Sequence, residues 1–249
     1  MKAYRRERIL SFLNENKAAT IKELHSLFPE ISLMTIHRDL KFLEEKGALI
    51  RVRGGAKSVG RDLEPIFTAR ELENSEAKKQ MAIKALELIK PGSSIFLDAG
   101  TSCLALARSL PDLEMTIFTN APNTGLELMN LQKPSINICG GNLNRANLSL
   151  SGQNTLDMLE NINIDTAFIG VGGYTDQSGF TGGKENETLV KKLLIRRSMK
   201  VVALMDSSKI GKVLPFTFAQ LEDFDYIIND GRLPEDFLAL AKENHVKII

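Results

Sequence analysis

Two groups of residues in this 249-residue sequence have the types and spacing to do chemistry. The first is cationic. Thr35, His37, Arg38 and Lys41 fall on one side of a helical repeat, and Arg51 and Arg53 follow in a run that alternates apolar and basic residues. Such side chains reach phosphates and base edges when a helix lies in a major groove, and Arg5 adds a further cation for a nucleic-acid backbone. The second group is mixed, and each of its members follows a strand-like run. It comprises Asp98-Ala99-Gly100-Thr101-Ser102, Thr119-Asn120, Gly140-Gly141, Gly170-Val171-Gly172-Gly173 and Asp206-Ser207-Ser208-Lys209. Backbone N–H groups at a helix start, with hydroxyls beside them, cradle an anion. Asp98 suits sugar hydroxyls, and Lys209 supplies a point charge for a phosphate. Singly, each loop also reads as a tight turn or helix cap, and Lys209 as an exposed lysine. Their shared position at strand ends gives them weight together.

The elements that must hold the cationic group are three helices and a hairpin. Arg5 to Asn16 places Ile9, Phe12 and Leu13 on one face. Thr20 with Glu23 forms a capping box that opens a short helix containing Ile21, Leu24, Leu27 and Phe28, and Pro29 ends it. Ser32 caps a third helix, Leu33 to Lys46, with Leu33, Ile36, Leu40 and Leu43 as its core stripe and Gly47 as its stop. Asp39 and Glu44 are expected to turn away from DNA. Ala48 to Arg53, before Gly54-Gly55, reads as the edge of a hairpin wing. Together these predict a winged helix-turn-helix over residues 1–57. The alternative is a three-helix bundle with a solvated polar face.

Residues 58–74, with Ser58, Gly60, Arg61 and Pro65, lack periodicity and read as a linker. Beyond it, residues 75–249 begin with a helical pattern through Met81, Ala82, Ala85, Leu86 and Ile89. Strand-like runs follow at Ser94–Asp98, Met115–Thr119, Ile136–Cys139, Thr166–Ile169, Lys200–Met205, Tyr226–Asn229 and Val246–Ile249. Helices between many of them imply crossovers, hence an α/β fold with an open, mostly parallel sheet. Ligands of such sheets gather at the carboxyl ends of the strands.

Charge separates the two parts. Residues 1–57 hold twelve Lys and Arg against seven Asp and Glu, a net of +5, while the remainder nets −4 within a chain total of +1. A basic end on an acidic body suits a nucleic-acid partner. Cys103 and Cys139 lie far apart without metal-ligand spacing, so both read as reduced core thiols. No apolar run follows the first arginines and none approaches a membrane span, so a cytoplasmic protein is expected, with no metal and no cofactor.

The segments Thr35-Ile36-His37-Arg38-Asp39-Leu40, Leu43-Glu44-Glu45-Lys46-Gly47 and Arg51-Val52-Arg53-Gly54-Gly55-Ala56 resemble the DNA-binding signature of the DeoR family of bacterial sugar-metabolism repressors. One departure is His37, where the family commonly has the first of two arginines. The resemblance continues through Asp98 to Ser102, Thr119-Asn120, Gly140-Gly141 and Asp206 to Gly211, and so spans nearly the whole chain. Glu187 and Lys191 resemble a Glu and a Lys that the family carries on a helix after the glycine-rich loop; by spacing alone they also form an exposed i, i+4 pair. The resemblance implies a larger domain similar to pentose-phosphate isomerases and a phosphorylated sugar as effector. Such isomerases carry acidic residues in the loop where this chain has Gly170-Val171-Gly172-Gly173, so binding without turnover is expected.

The expected partners are therefore a double-stranded DNA operator, a phosphorylated sugar and further copies of the chain, which would place two heads on paired half-sites. Two rivals make other predictions. An isomerase-like enzyme with a regulatory head would turn substrate over, and a purely structural α/β body would bind no ligand at all.

Overall fold

A computed structural model describes residues 2–58 and 67–249. The chain divides into two compact units, Met1–Ser75 and Glu76–Ile249. In the first, α1 (Lys2–Asn16), α2 (Ile21–Ser26) and α3 (Leu33–Glu45) surround a small core of Ile9, Leu13, Leu24, Ile36, Leu40 and Leu43. The capping box forms as its residues dictate. The Thr20 hydroxyl accepts from the Glu23 N–H at 3.2 Å, and the Glu23 carboxylate accepts from the Thr20 N–H at 2.7 Å. Ser32 caps α3, and Gly47 leaves it at φ +64°, a left-handed conformation that glycine adopts without a Cβ penalty. Leu33 departs from the expected core stripe and is 51% exposed.

The wing has three strands. β1 (Ala18–Thr20) joins the expected hairpin, β2 (Leu49–Val52) with β3 (Gly55–Ser58), in the order β1-β3-β2. A Cβ on Gly55 would lie 2.1 Å from the Ala19 carbonyl oxygen, so only glycine lets β3 approach β1 here. Of the segment read as linker, residues 59–66 lie outside the described residues. After them, α4 (Phe67–Leu72) is helical, and Leu72 packs on the core of the head.

The second unit opens with α5 (Ser75–Ala85) and is built on seven strands. In chain order come β4 (Ser94–Leu97), α6 (Thr101–Ser109), β5 (Thr116–Thr119), α7 (Pro122–Leu128) and β6 (Ser135–Ile138). A small hairpin of β7 (Asn142–Asn144) and β8 (Ser149–Ser151) leads to α8 (Gln153–Glu160) and β9 (Ile164–Gly170). Then follow β10 (Gly173–Thr175), β11 (Gly179–Gly182), α9 (Glu185–Arg197), β12 (Ser198–Leu204), β13 (Phe216–Ala219), β14 (Tyr226–Ile228), α10 (Glu235–Glu243) and β15 (Lys247–Ile248).

The large sheet has the order β15-β14-β12-β9-β4-β5-β6, and every pairing in it is parallel. Alternate residues along a strand serve opposite faces. Ile95 and Leu97 pack with Met81, Leu106 and Leu128 of α5, α6 and α7. Phe96, Ala167 and Ile169 pack with Leu159, Leu194 and Phe237 of α8, α9 and α10. Cys103 and Cys139 are free and buried. The antiparallel sheet β10-β11-β13 was not legible as strands: Gly173 belongs to the stretch that reads as a turn after β9, and glycines at both ends of β11 leave no apolar run. Tyr174, Phe180 and Phe218 nevertheless make it a packed layer, with Tyr174 and Phe180 ring centroids 4.7 Å apart.

Candidate functional site

On the head, burial sorts α3 into two faces. Ile36, Asp39, Leu40 and Leu43 are buried, while His37, Arg38 and Lys41 are exposed together on the other side. Arg51 and Arg53 are also exposed, Arg53 in the tight turn between β2 and β3. Glu44 receives the Arg51 N–H at 3.1 Å, and its carboxylate lies 3.6 Å from the Arg51 guanidinium, so it braces the wing against α3.

Two expected contact residues are engaged elsewhere. Arg5 donates to Asp39 at 2.5 Å and Arg6 donates to the other carboxylate oxygen at 2.7 Å, with Asp39 1% exposed. Arg5 thus clamps α1 to α3, a position its reading as a phosphate-facing cation did not anticipate. The Arg6 guanidinium also covers the Phe42 ring at 3.5 Å. Thr35 is half-buried beside the Ser32 cap, with the two hydroxyls 3.0 Å apart, so its hydroxyl serves the start of the helix.

In the larger unit the strand order sets the geometry of the crevice. From β4 the chain runs outward through β5 to β6, then returns to the other side of β4 at β9 and runs outward through β12, β14 and β15. The direction reverses between β4 and β9, and the carboxyl ends of the strands at such a reversal are where open α/β sheets take their ligands. Asp98 follows β4 and Gly170 ends β9, and they meet there: the Gly170 N–H donates to Asp98 Oδ2 at 3.2 Å. Lys191 of α9 reaches in from above. Its ammonium donates to Asp98 Oδ2 in a very short contact and to the Gly170 carbonyl at 2.8 Å. Burial pushes the Asp98 carboxyl above the ordinary carboxylate range, and the pull of Lys191 and the Gly170 N–H does not cancel it.

Around this pair stand the other residues of the second group, in different roles. Gly100 precedes α6, no side chain among the described residues caps that helix, and a Cβ on Gly100 would meet open space. Thr101 is buried and Ser102 half-buried at the same helix start. The Thr119 hydroxyl donates to the Leu97 carbonyl at 2.7 Å, which ties β5 to β4. Asn120 accepts from the Ala99 N–H at 2.8 Å and donates to the Leu150 carbonyl at 3.3 Å, so it fixes the Asp98 loop to β8. Gly140 has open space where a Cβ would be. Gly141, at φ +133°, would place one 2.2 Å from the Thr155 hydroxyl oxygen, and that hydroxyl caps the Gly140 carbonyl at 2.6 Å.

Glu187 does not pair with Lys191 along the helix. One turn before it, its carboxylate accepts from Asn147 at 3.0 Å, Asn144 at 2.9 Å and Ser149 at 2.7 Å, which pins α9 to the β7–β8 hairpin. Those three partners went unnoticed in the sequence, although the asparagine density after Gly140-Gly141 is a signal of a polar hairpin. Asn123 and Thr124, at the start of α7, were also missed; their side-chain polar atoms are buried with no hydrogen-bond partner among the described residues. Lys209 lies after β12 and faces Asp206 at 3.9 Å. Burial opposes the Asp206 charge, but Lys209, Ser208 and Lys78 outweigh it and hold the carboxyl below its ordinary value.

Among the described residues no group of three or more His, Cys, Asp or Glu could hold a metal ion, and no helix is long and apolar enough to cross a membrane.

Comparison with known families follows this division of the chain. Residues 5–62 match the DeoR-like helix-turn-helix domain, and residues 73–231 match the DeoR C terminal sensor domain. The chain belongs to the DeoR family of transcriptional regulators. Among similar members of that family are the HTH-type transcriptional regulator GlpR of Haloferax volcanii and the HTH-type transcriptional repressor GlcR of Bacillus subtilis. GlpR is 34% identical over 238 residues, covering 94% of this chain and 92% of that protein. GlcR is 33% identical over 252 residues, covering 99% and 96%. Ribose 5-phosphate isomerase A of Methanocaldococcus jannaschii shares 18% identity over 56% of each chain, with a TM-score of 0.42, a likeness too distant to bear on activity. This DeoR-family regulator therefore combines a DNA-binding head with a sensor domain.

Proposed function

We propose that this DeoR-family protein is a cytoplasmic repressor of sugar-metabolism genes, released from or held on its operator by a phosphorylated sugar bound between β4 and β9. The observation that carries the reading is the cluster of Asp98, Lys191 and the Gly170 backbone where the strand order reverses. A polar cluster at the reversal point of a parallel sheet is where such folds bind ligands. The uncapped start of α6, with Gly100, Thr101 and Ser102, suits the phosphate: its N–H groups and dipole favour an anion, and the absent Cβ of Gly100 leaves room for one. Asp98 and Lys191 then face the sugar hydroxyls, with Asn123 and Thr124 as further donors and acceptors. Thr119, Asn120, Gly141 and Glu187 hold the loops in place. Lys209 pairs with Asp206 and is a weaker candidate for the phosphate than the α6 start.

Turnover is disfavoured by the same contacts. Sugar isomerisation needs a base free to take a proton, whereas the Asp98 carboxylate is bound to Lys191 and the Glu187 oxygens are occupied by three side chains. In the head, His37, Arg38 and Lys41 read the groove, and Arg51 and Arg53 neutralise phosphates. Paired heads in a homo-oligomer match paired half-sites.

The test is thermal unfolding of the full-length protein with a panel of sugar phosphates and the corresponding free sugars. Ligand that binds only the folded form raises the apparent stability, by about 2.7 kcal/mol at a hundred-fold excess over Kd. Stabilisation by one phosphorylated sugar and not by its free sugar is the expected result. Consumption of that compound in the same mixture favours the enzyme, and no stabilisation by any member of the panel contradicts the sensor reading.

A further inference from the structure

The exposed face of α3 has a member that is neither a cation nor part of the core. Met34, His37, Arg38 and Lys41 stand at i, i+3, i+4 and i+7, so they form one row along the helix. All four are exposed, and Met34 is 60% exposed in the first turn, just after the Ser32 cap. Leu33 flanks it. Core packing does not account for Met34, since the buried stripe of this helix is Ile36, Asp39, Leu40 and Leu43.

The chemistry of a major groove accounts for it. First-turn residues of a recognition helix meet base edges. A thioether side chain offers no hydrogen-bond donor and only a weak acceptor, so it cannot read the donor and acceptor pattern of purines. The apolar feature of that groove is the C5-methyl group of thymine. Methionine is unbranched and polarizable, and it adapts its shape to such a surface. We propose that Met34 is a specificity-determining residue that reads a thymine methyl in each operator half-site, beside the hydrogen-bonding contacts of Arg38 and His37. This rests on α3 being the helix that enters the groove.

The test uses the full-length protein and a duplex selected by it from a random DNA library, with each thymine replaced singly by deoxyuridine, which lacks only the methyl. Burial of one methyl-sized group corresponds to about a four-fold change in affinity. Wild type is expected to lose about that much at one thymine per half-site. Met34→Ala is expected to bind thymine and deoxyuridine equally at that position, with an unchanged salt dependence, and Met34→Leu to restore part of the preference. The proposal is overturned by a selected half-site without thymine, by indifference of wild type to every replacement, or by a Met34→Ala preference equal to that of wild type. Arg38→Ala separates the premises: if it binds the duplex as tightly as wild type, the placement of α3 in the groove fails. Loss of binding in Arg38→Ala alongside an unchanged thymine preference in Met34→Ala overturns only the role of Met34.

Discussion

Arg5 and Arg53 show how the same residue type takes opposite roles within one small domain. Arg5 is mostly buried and bonded to Asp39, whereas Arg53 is exposed in the wing turn. Removing one partner from a buried ion pair costs about 3–5 kcal/mol where no other charge compensates; here Arg6 still contacts Asp39, so the loss is smaller. Arg5→Ala is therefore expected to lower the unfolding temperature and leave the salt dependence of operator binding unchanged. Arg53→Ala should do the reverse, reducing the salt slope by about one and sparing stability. Thermal unfolding and salt titrations on the two variants check this. The sequence made the cations visible but not their partners, because Asp39 lies 34 residues from Arg5 and nothing local announces the contact. The sensor domain has a counterpart in Lys191 and Asp98, 93 residues apart. Lys191→Met removes the counter-charge from a carboxyl that burial already pushes up, so it should lower stability in denaturant unfolding by less than the roughly 3–5 kcal/mol of an uncompensated buried charge, with the loss growing as pH rises, while Asp98→Asn combined with Lys191→Met should recover most of it.

At the scale of elements, the caps and periodicities carried most of the fold. Thr20 with Glu23 and Ser32 marked the starts of α2 and α3, and all seven strand-like runs correspond to strands of the parallel sheet; the central ones, β4, β9 and β12, show as compact apolar runs because they are buried along most of their length. What stayed hidden was built from residues with little local signature. β1 is three residues long, β10 and β11 are rich in glycine, and α4 is a single short helix in a stretch without clear periodicity. The candidate crevice was legible as a set of strand ends, whereas the sheet order that joins Asp98 to Gly170 is a long-range property. Several glycines of the expected turns, Gly55, Gly141 and Gly173 among them, proved to be close approaches. Gly55→Ala would drive a methyl into the Ala19 carbonyl and part β1 from β3. It should weaken operator binding and leave ligand-induced stabilisation of the sensor domain intact, as paired DNA-binding and thermal measurements will show.

At the scale of the whole molecule, a head that binds DNA is joined to a sensor domain, in a chain whose net charge is positive over the first and negative over the second. A metabolite controls the head only through a difference in its affinity for two states of the protein, and such couplings amount to about 1–3 kcal/mol, or 5- to 150-fold. The most direct measurement is the affinity of the full-length protein for its selected operator duplex as a sugar phosphate is titrated. The expected result is a change within that range with one phosphorylated sugar and none with its free sugar, and no response in the Asp98→Asn, Lys191→Met double variant, which still binds the duplex. An operator affinity indifferent to every sugar phosphate, or an undiminished response in the double variant, would contradict the crevice between β4 and β9 as the place where the signal enters.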